Sequence, residues 1–295
     1  MKTSALKALA KGKLKGVYLN AVFGMVICYI PVYMFALITE ILTARRIEPI
    51  IVLAITILVD IFVVDIFSVG YMRSLLDLNG QTDNKRYDAN IVLSGFGRNY
   101  SNIFKAMFLR RLYTFGWGCL MFLPLVLTVA GACGVIISQD GMGFVQQITD
   151  VVSNPTESGY AALGLYITKN YSYLSYIIIG GAVLSLLLTI VYIRKVYLYE
   201  MIPMIMAETP DMSAKDAFTK TKQIMTGYRF KYFVLVLSFI WILFISSLVA
   251  IVILSNITQY IAMALVMPYV NMSLVQFYLW RTNTDKKERI ENNEN

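Results

Sequence analysis

No histidine occurs anywhere in the 295-residue chain. That absence removes Ser–His and Cys–His nucleophilic systems, HExxH zinc sites and histidine-based phosphatases together. Cysteine is nearly as scarce. Cys28, Cys119 and Cys133 all sit in apolar runs, as small hydrophobes do, so neither a disulfide nor a thiolate metal site is implied. There is no P-loop, and the "GFG" at Gly95–Gly97 lacks the third glycine and the βαβ setting of a dinucleotide site. Charge is thin at 15% of residues, against about 25% in a soluble domain. No catalytic residue, cofactor or metal ligand can be named. The expectation is a non-enzymatic protein, with an enzyme using only Asp, Lys or Tyr as the class left open.

What the chain has instead is hydrocarbon. Hydrophobic residues make up 58% of it, and the mean hydropathy is +0.63. They gather in runs of more than twenty, long enough for a helix to cross ~30 Å of lipid. The predicted fold class is all-α: a polytopic membrane protein of six transmembrane helices, with basic amphipathic helices on the cytoplasmic face. The spans read as Val17–Thr39, Pro49–Tyr71, Tyr113–Ile137, Tyr173–Ile193, Tyr232–Leu254 and Ile257–Trp280, the last two forming a hairpin around Ser255-Asn256. By domain this gives a cytoplasmic amphipathic helix over 1–16 and a membrane domain over 17–280. Within the latter lie an outer loop at 139–171 and a cytoplasmic helical segment at 194–231; a polar cytoplasmic tail follows at 281–295. The first apolar run is too long for a signal peptide and has no small-residue cleavage site after it.

Lys and Arg set the orientation. The N-terminal tail, the second and fourth connections and the C-terminal tail carry twenty-three of them, against three (Arg45, Arg46 and Lys169) on the other side. Both termini are therefore expected in the cytoplasm. This bias accounts for the net charge of +8 without any nucleic-acid partner. The expected partners are the bilayer itself, through its anionic headgroups, and a membrane protein.

Two cytoplasmic segments read as helices lying on the membrane. In "SALKALAKGKLKG", Lys7, Lys11 and Lys15 recur at i, i+4 and i+8, opposite Leu6, Leu9, Ala10 and Val17. In "TPDMSAKDAFTKTKQIMTGY", Ser213 and Asp216 are spaced as a capping box; Ala214, Ala217, Phe218, Thr221 and Met225 share a face, and Gly227 is the stop. Solvated connector helices are the alternative reading. Asn79-Gly80 reads as a turn. Ile103, Phe104, Met107 and Phe108 give a further amphipathic stretch, so a unit of basic helix, glycine, aromatic and two spans would begin near Ser4, Asp88 and Ser213. In the outer segment, "GFVQQITDVV" has helical spacing and ends at Asn154-Pro155.

The block "YLYEMIPMIMAETPDMSAKDAFTKTKQIMTGYRFKYFVLVLSFIWILF" resembles a bacterial membrane-protein family catalogued as domain of unknown function 975. Its Y-x-M-x-P-x-I-x-A-x-x-P stretch is matched by Tyr199, Met201, Pro203, Ile205, Ala207 and Pro210. A second stretch is matched by Ala217, Met225 and Gly227, and a third, L-S-F-I-x-W, by Leu237, Ser238, Phe239, Ile240 and Trp241. Thr221 stands where the family pattern has serine, and "TIVYIRK" where a Pro-Gly turn and a lysine are more usual. The resemblance implies an architecture. It brings no reaction or ligand.

The remaining chemistry is in "LVDIFVVDIF", where Asp60 and Asp65 interrupt the second span. A carboxylate at a span centre costs about 2.5–3.5 kcal/mol on insertion scales, so it should face the bundle or water. Five residues turn an α-helix by about 500°, leaving the two carboxylates ~140° apart and unable to pair on one face. No Lys or Arg lies in the core of any span, so Asp60 is expected protonated or hydrated, with Asn271, Ser246 and Ser247 as the polar groups nearest in depth. Two functional classes follow. One is a non-enzymatic membrane protein acting through protein or lipid partners, in an assembly, immunity or stress-related role. The other is a small proton- or ion-coupled transporter using Asp60 and Asp65, which broken helices in inverted repeats would favour. Gly180-Gly181 is the nearest sequence feature to such a break.

Overall fold

The computed structural model describes residues 1–45, 47–81, 86–153, 156–242, 244–245, 248 and 256–293, with side chains in the last segment described for 261–283. Every regular element among them is helical. In chain order these are α1 (Thr3–Leu14), α2 (Tyr18–Ala44), α3 (Pro49–Val59), a π turn (Asp60–Val64), α4 (Asp65–Gly80) and a 3-10 helix (Ala89–Phe96). There follow α5 (Tyr100–Ser153), α6 (Glu157–Asn170), α7 (Ser172–Tyr199), α8 (Ile202–Glu208), α9 (Ala214–Met225), α10 (Arg229–Leu237) and α11 (Asn256–Asn293).

Five helices among the described residues are long and apolar enough to cross a membrane: Tyr18–Ala44, Pro49–Gly80, Tyr100–Ser153, Ser172–Glu208 and Ile261–Asn283. In the first four only 11–22% of the apolar window is buried by protein, which leaves long rows of Leu, Ile and Phe needing an apolar solvent. The last differs, with 56% buried. Much of the expected fifth span, including Ser246 and Ser247, lies outside the described residues, as do Ser255 of the expected hairpin and the Asn154-Pro155 stop. The helices overrun the apolar runs because helical hydrogen bonding does not end where hydrocarbon ends. Asn79-Gly80 is not a turn: α4 continues through it, and the Asn79 carboxamide oxygen accepts from Gln276 Nε2 at 2.7 Å. At the start of the expected polar tail, residues 281–283 continue α11, and Arg281 and Thr282 are buried.

The chain divides into two compact units, Met1–Leu112 with Tyr197–Asn295, and Tyr113–Val196. The core of the first joins Ala10 and Leu14 of α1, Ala21 and Cys28 of α2, Tyr71, Leu75 and Leu78 of α4, Val92 of the 3-10 helix, and Met272 and Val275 of α11. Two glycines permit this closeness. A Cβ on Gly24 would fall 1.9 Å from the Tyr87 hydroxyl, and one on Gly70 would fall 1.9 Å from the Val92 carbonyl oxygen. In the second unit Ala132, Ile136, Phe144, Tyr171 and Leu174 form a smaller core, over which Tyr166 donates to Asp140 at a kink in α5. That hydrogen bond raises the Tyr166 pKa. The expected helix over "GFVQQITDVV" is present after the kink in α5, and α6 follows it within 139–171. Gly180-Gly181 is not a break either: α7 is continuous there, and Gly181 lies where a Cβ would meet Thr128 Oγ1 at 2.1 Å, so it serves close packing of two helices.

The idea of a repeat gains a precise form at two of its three places. α1 and α9 are each twelve residues long. Each ends in an extended residue (Lys15, φ −60° ψ 124°; Thr226, φ −64° ψ 129°) followed by a glycine at φ +87° or +78° and then a new helix. This is type II turn geometry, which needs glycine at its third position. Leu6, Ala10 and Leu14 of α1 and Ala217, Thr221 and Met225 of α9 occupy equivalent positions, all buried. The third place departs. A 3-10 helix capped by Asp88 stands there, and Gly97 has φ −80°.

Candidate functional site

Asp60 and Asp65 meet on one face, contrary to the α-helical expectation. The reason is the π turn. The Asp65 N–H donates to the Asp60 carbonyl, an i→i+5 bond that puts an extra residue into one turn and brings side chains five apart nearly above one another. Arg111, about three turns into α5 and just before the expected third span, takes both. Its Nε and Nη2 hold Asp65 Oδ2 and Oδ1 at 2.5 and 3.0 Å as a fork, and Nη1 reaches Asp60 Oδ2 at 3.4 Å. The cation that counting by span did not find is therefore a residue just before the next expected span. Beside it, Arg110 pairs with Glu200 at 3.0 Å. The Phe62 carbonyl, within the π turn, accepts the Tyr100 hydroxyl at 3.2 Å, and the Phe62 and Phe104 rings stack at 4.6 Å. The Asp65 side chain is 8% exposed, but Asp60 and Arg111 are 42% and 36% exposed. The pair at Asp65 is a buried fork, while that at Asp60 is a loose outer contact.

Asn271 takes no part in this cluster. It is buried on α11, with Nδ2 3.9 Å from Met25 Sδ of α2.

The lysines chosen for the lipid surface separate. Lys11 and Lys15 are exposed. Lys7 turns inward: its ammonium donates to the Ser238 carbonyl at 2.9 Å and lies 4.0 Å from the centre of the Phe239 ring. Burial lowers its pKa. Lys13, which sequence reasoning passed over, donates to the carbonyls of Asn79 and Gln81 at 2.7 and 3.1 Å, where a cation answers the negative end of α4. The apolar face of α1 does not meet lipid. Leu6, Ala10 and Leu14 are buried in protein, against α11 and α10 among others, while Leu9 is 49% exposed. The face of α9 is covered likewise: the Phe218 ring lies 5.3 Å from Tyr199, and Thr221 Oγ1 donates to the Leu198 carbonyl at 3.0 Å. The threonine at the unexpected position thus keeps a hydroxyl in use.

The motif residues are mostly core. Tyr199, Met201, Ile205 and Ala207 are at most 6% exposed, and Pro203 opens α8, where its missing N–H costs nothing. Pro210 lies in the turn before α9, which Ser213 caps by accepting from the Asp216 N–H at 3.2 Å. Gly227 supplies the positive φ already described. At Ser238 the helix of the third stretch is interrupted. Its carbonyl is the one that Lys7 takes, and the next bonds run Phe239 N–H to Val236 and Ile242 N–H to Phe239, both i→i−3. Trp241 is 71% exposed. Among the described residues no group of three or more acidic or cysteine side chains is placed to hold a metal ion.

These motif positions agree with a match over nearly the whole chain. The protein belongs to the family described as protein of unknown function (DUF975), whose model matches residues 1–284. No curated protein and no solved structure matches it. The DUF975 motif is therefore chiefly a packing motif in this chain, with Ser238 and Phe239 in contact with Lys7 of α1.

Proposed function

We propose that this DUF975 member is a non-enzymatic, multi-pass protein of the bacterial plasma membrane that acts through protein or lipid partners. In this reading six spans anchor a packed cytoplasmic platform of α1, the 3-10 helix, α8 and α9, and both termini are cytoplasmic. The observation that carries it is the state of the intramembrane carboxylates: Asp65 is held by two bonds from Arg111, and Asp60 shares the same guanidinium. A carrier needs a carboxylate free to load and release, whereas a clamp needs one that is occupied. Exposed lysines on the platform, Lys11, Lys15, Lys215 and Lys222, are its contacts with anionic headgroups or an acidic partner.

The competing reading, a proton- or ion-coupled transporter, has two features in its favour: the π turn at Asp60 and the interruption at Ser238, since such irregularities recur at functional sites. Proteoliposomes carrying the full chain and a trapped pH dye decide between them. Proton permeability is expected to match protein-free vesicles. A flux that Asp60→Asn abolishes would establish the transporter instead.

Orientation has its own test. In a background lacking Cys28, Cys119 and Cys133, Ser153→Cys is expected to react with an impermeant maleimide on intact cells. Labelling only after permeabilisation would reverse the assignment.

A further inference from the structure

The cytoplasmic ends of α10 and α11, together with the first turn of α1, enclose a groove of about 570 Å³ that the proposed function does not use. Its cations are Lys2 and Lys231, and its apolar lining includes Phe230, Val234 and Trp280. No carboxylate lines it. The Lys231 ammonium lies 5.3 Å from the Trp280 ring centre and 5.4 Å from that of Tyr228. Those two rings meet edge to face at 5.5 Å, so the cation stands over a fixed aromatic wall. Behind the wall Arg281, 3% exposed, stacks on Tyr228 at 3.6 Å and donates Nε to the Ile224 carbonyl, and its Nη1 has no hydrogen-bond partner among the described residues. Lys2, Lys231 and Arg281 form no ion pair among the described residues. Among the described residues this corner holds an excess of positive charge beside exposed apolar surface, with Phe230 74% exposed.

We infer that the groove binds one anionic phospholipid. The phosphate would lie between Lys2 and Lys231, and the start of the acyl chains along Phe230 and Val234. The depth agrees: α10 enters the expected fifth span at Tyr232 and α11 leaves the sixth at Trp280, so the groove stands at the headgroup layer, where tryptophan and basic pockets between helices collect. Phe230 and Val234 are four apart on α10 and so form one stripe running from the cations toward the hydrocarbon. A soluble anion would leave that stripe unused. An acidic peptide would have to sit at the membrane surface with its apolar side chains toward the bilayer. This inference rests on the membrane-embedded reading above and is independent of whether the protein carries protons.

The test uses the full chain in mild detergent, with retention of added lipid read by native mass spectrometry. Phosphatidylglycerol is expected to be retained as a single adduct and phosphatidylcholine lost. Each lysine near a headgroup is worth ~1 kcal/mol, so Lys2→Gln/Lys231→Gln should weaken retention by about thirtyfold. Lys105→Gln/Lys169→Gln, which removes two exposed lysines outside the groove and outside the platform, should change it by less than about threefold. Equal loss in both double variants would mean diffuse surface charge and overturn the site. So would equal retention of phosphatidylcholine, and displacement of the lipid by inorganic phosphate would show a free-anion site instead. A proton flux in the vesicle assay would overturn the proposed function and leave this site standing.

Discussion

Arg111→Leu is expected to destabilise the protein by about 3 kcal/mol, more than any other single change in the charge cluster. Removing one partner of a buried pair typically costs about 3–5 kcal/mol, because the survivor is left charged and uncompensated. Here the survivors are unequal. Asp65 is 5% exposed and held by two bonds, so it bears most of the loss, whereas the Asp60 side chain is 42% exposed and held only by the longer 3.4 Å contact, so it loses less. Asp65→Asn should therefore cost less than Arg111→Leu, and Asp60→Asn least. The triple change Asp60→Asn/Asp65→Leu/Arg111→Leu should recover most of the stability, since well-packed apolar replacements of a buried pair are often neutral or better. Unfolding in mixed micelles, titrated with SDS, measures all four. Were Arg111→Leu as stable as the parent, the clamp would be wrong and the carboxylates would be available for the carrier chemistry argued against above.

The same cluster shows how far the sequence could be read. Two aspartates in hydrocarbon and their need for company are legible from composition alone. Their partner was not, for two physical reasons. Arg111 belongs by position to a basic connecting segment and so counts toward orientation; nothing in a linear tally says that its side chain turns back onto the preceding helix. The angle between Asp60 and Asp65 also depends on 100° per residue, and one π turn cancels that assumption without any mark in the hydrophobic pattern. An amphipathic pattern has a similar blindness. Leu6, Ala10 and Leu14 need an apolar surface, and the pattern is the same whether lipid or α11 provides it. Local chemistry carried through more directly. The Ser213–Asp216 cap, the stop at Gly227 and the start of α3 at Pro49 were all in place. These depend on neighbours in sequence, whereas Lys7 on Ser238 depends on residues 231 positions apart.

Glycine carries a long-range signal that was present and unread. Gly70 on α4 and Gly95 on the 3-10 helix face each other's backbones: a Cβ at the first would lie 1.9 Å from the Val92 oxygen, and one at the second 2.8 Å from the Ile66 oxygen and Cγ2. Gly70→Ala is thus expected to cost about 3 kcal/mol or more, at or beyond the upper end of ordinary overpacking. The obstacle is a carbonyl fixed by its own helix, and no rotamer can move it away. Relief requires α4 and the 3-10 helix to part, which would loosen Tyr71, Leu75 and Val92 in the core of the first unit. Gly95→Ala should cost less, because the Ile66 methyl can yield although the carbonyl cannot. Gly80→Ala is the control: it is helical and exposed, with nothing within 4 Å of its added methyl, so a gain of about 0.5 kcal/mol is expected from the stiffer unfolded chain. The SDS titration used for the charge cluster reads all three variants. A Gly70→Ala protein within about 1 kcal/mol of the parent would show that α4 and the 3-10 helix do not approach through their backbones. The π turn that begins α4 would then lose the support that sets Asp65 beneath Arg111.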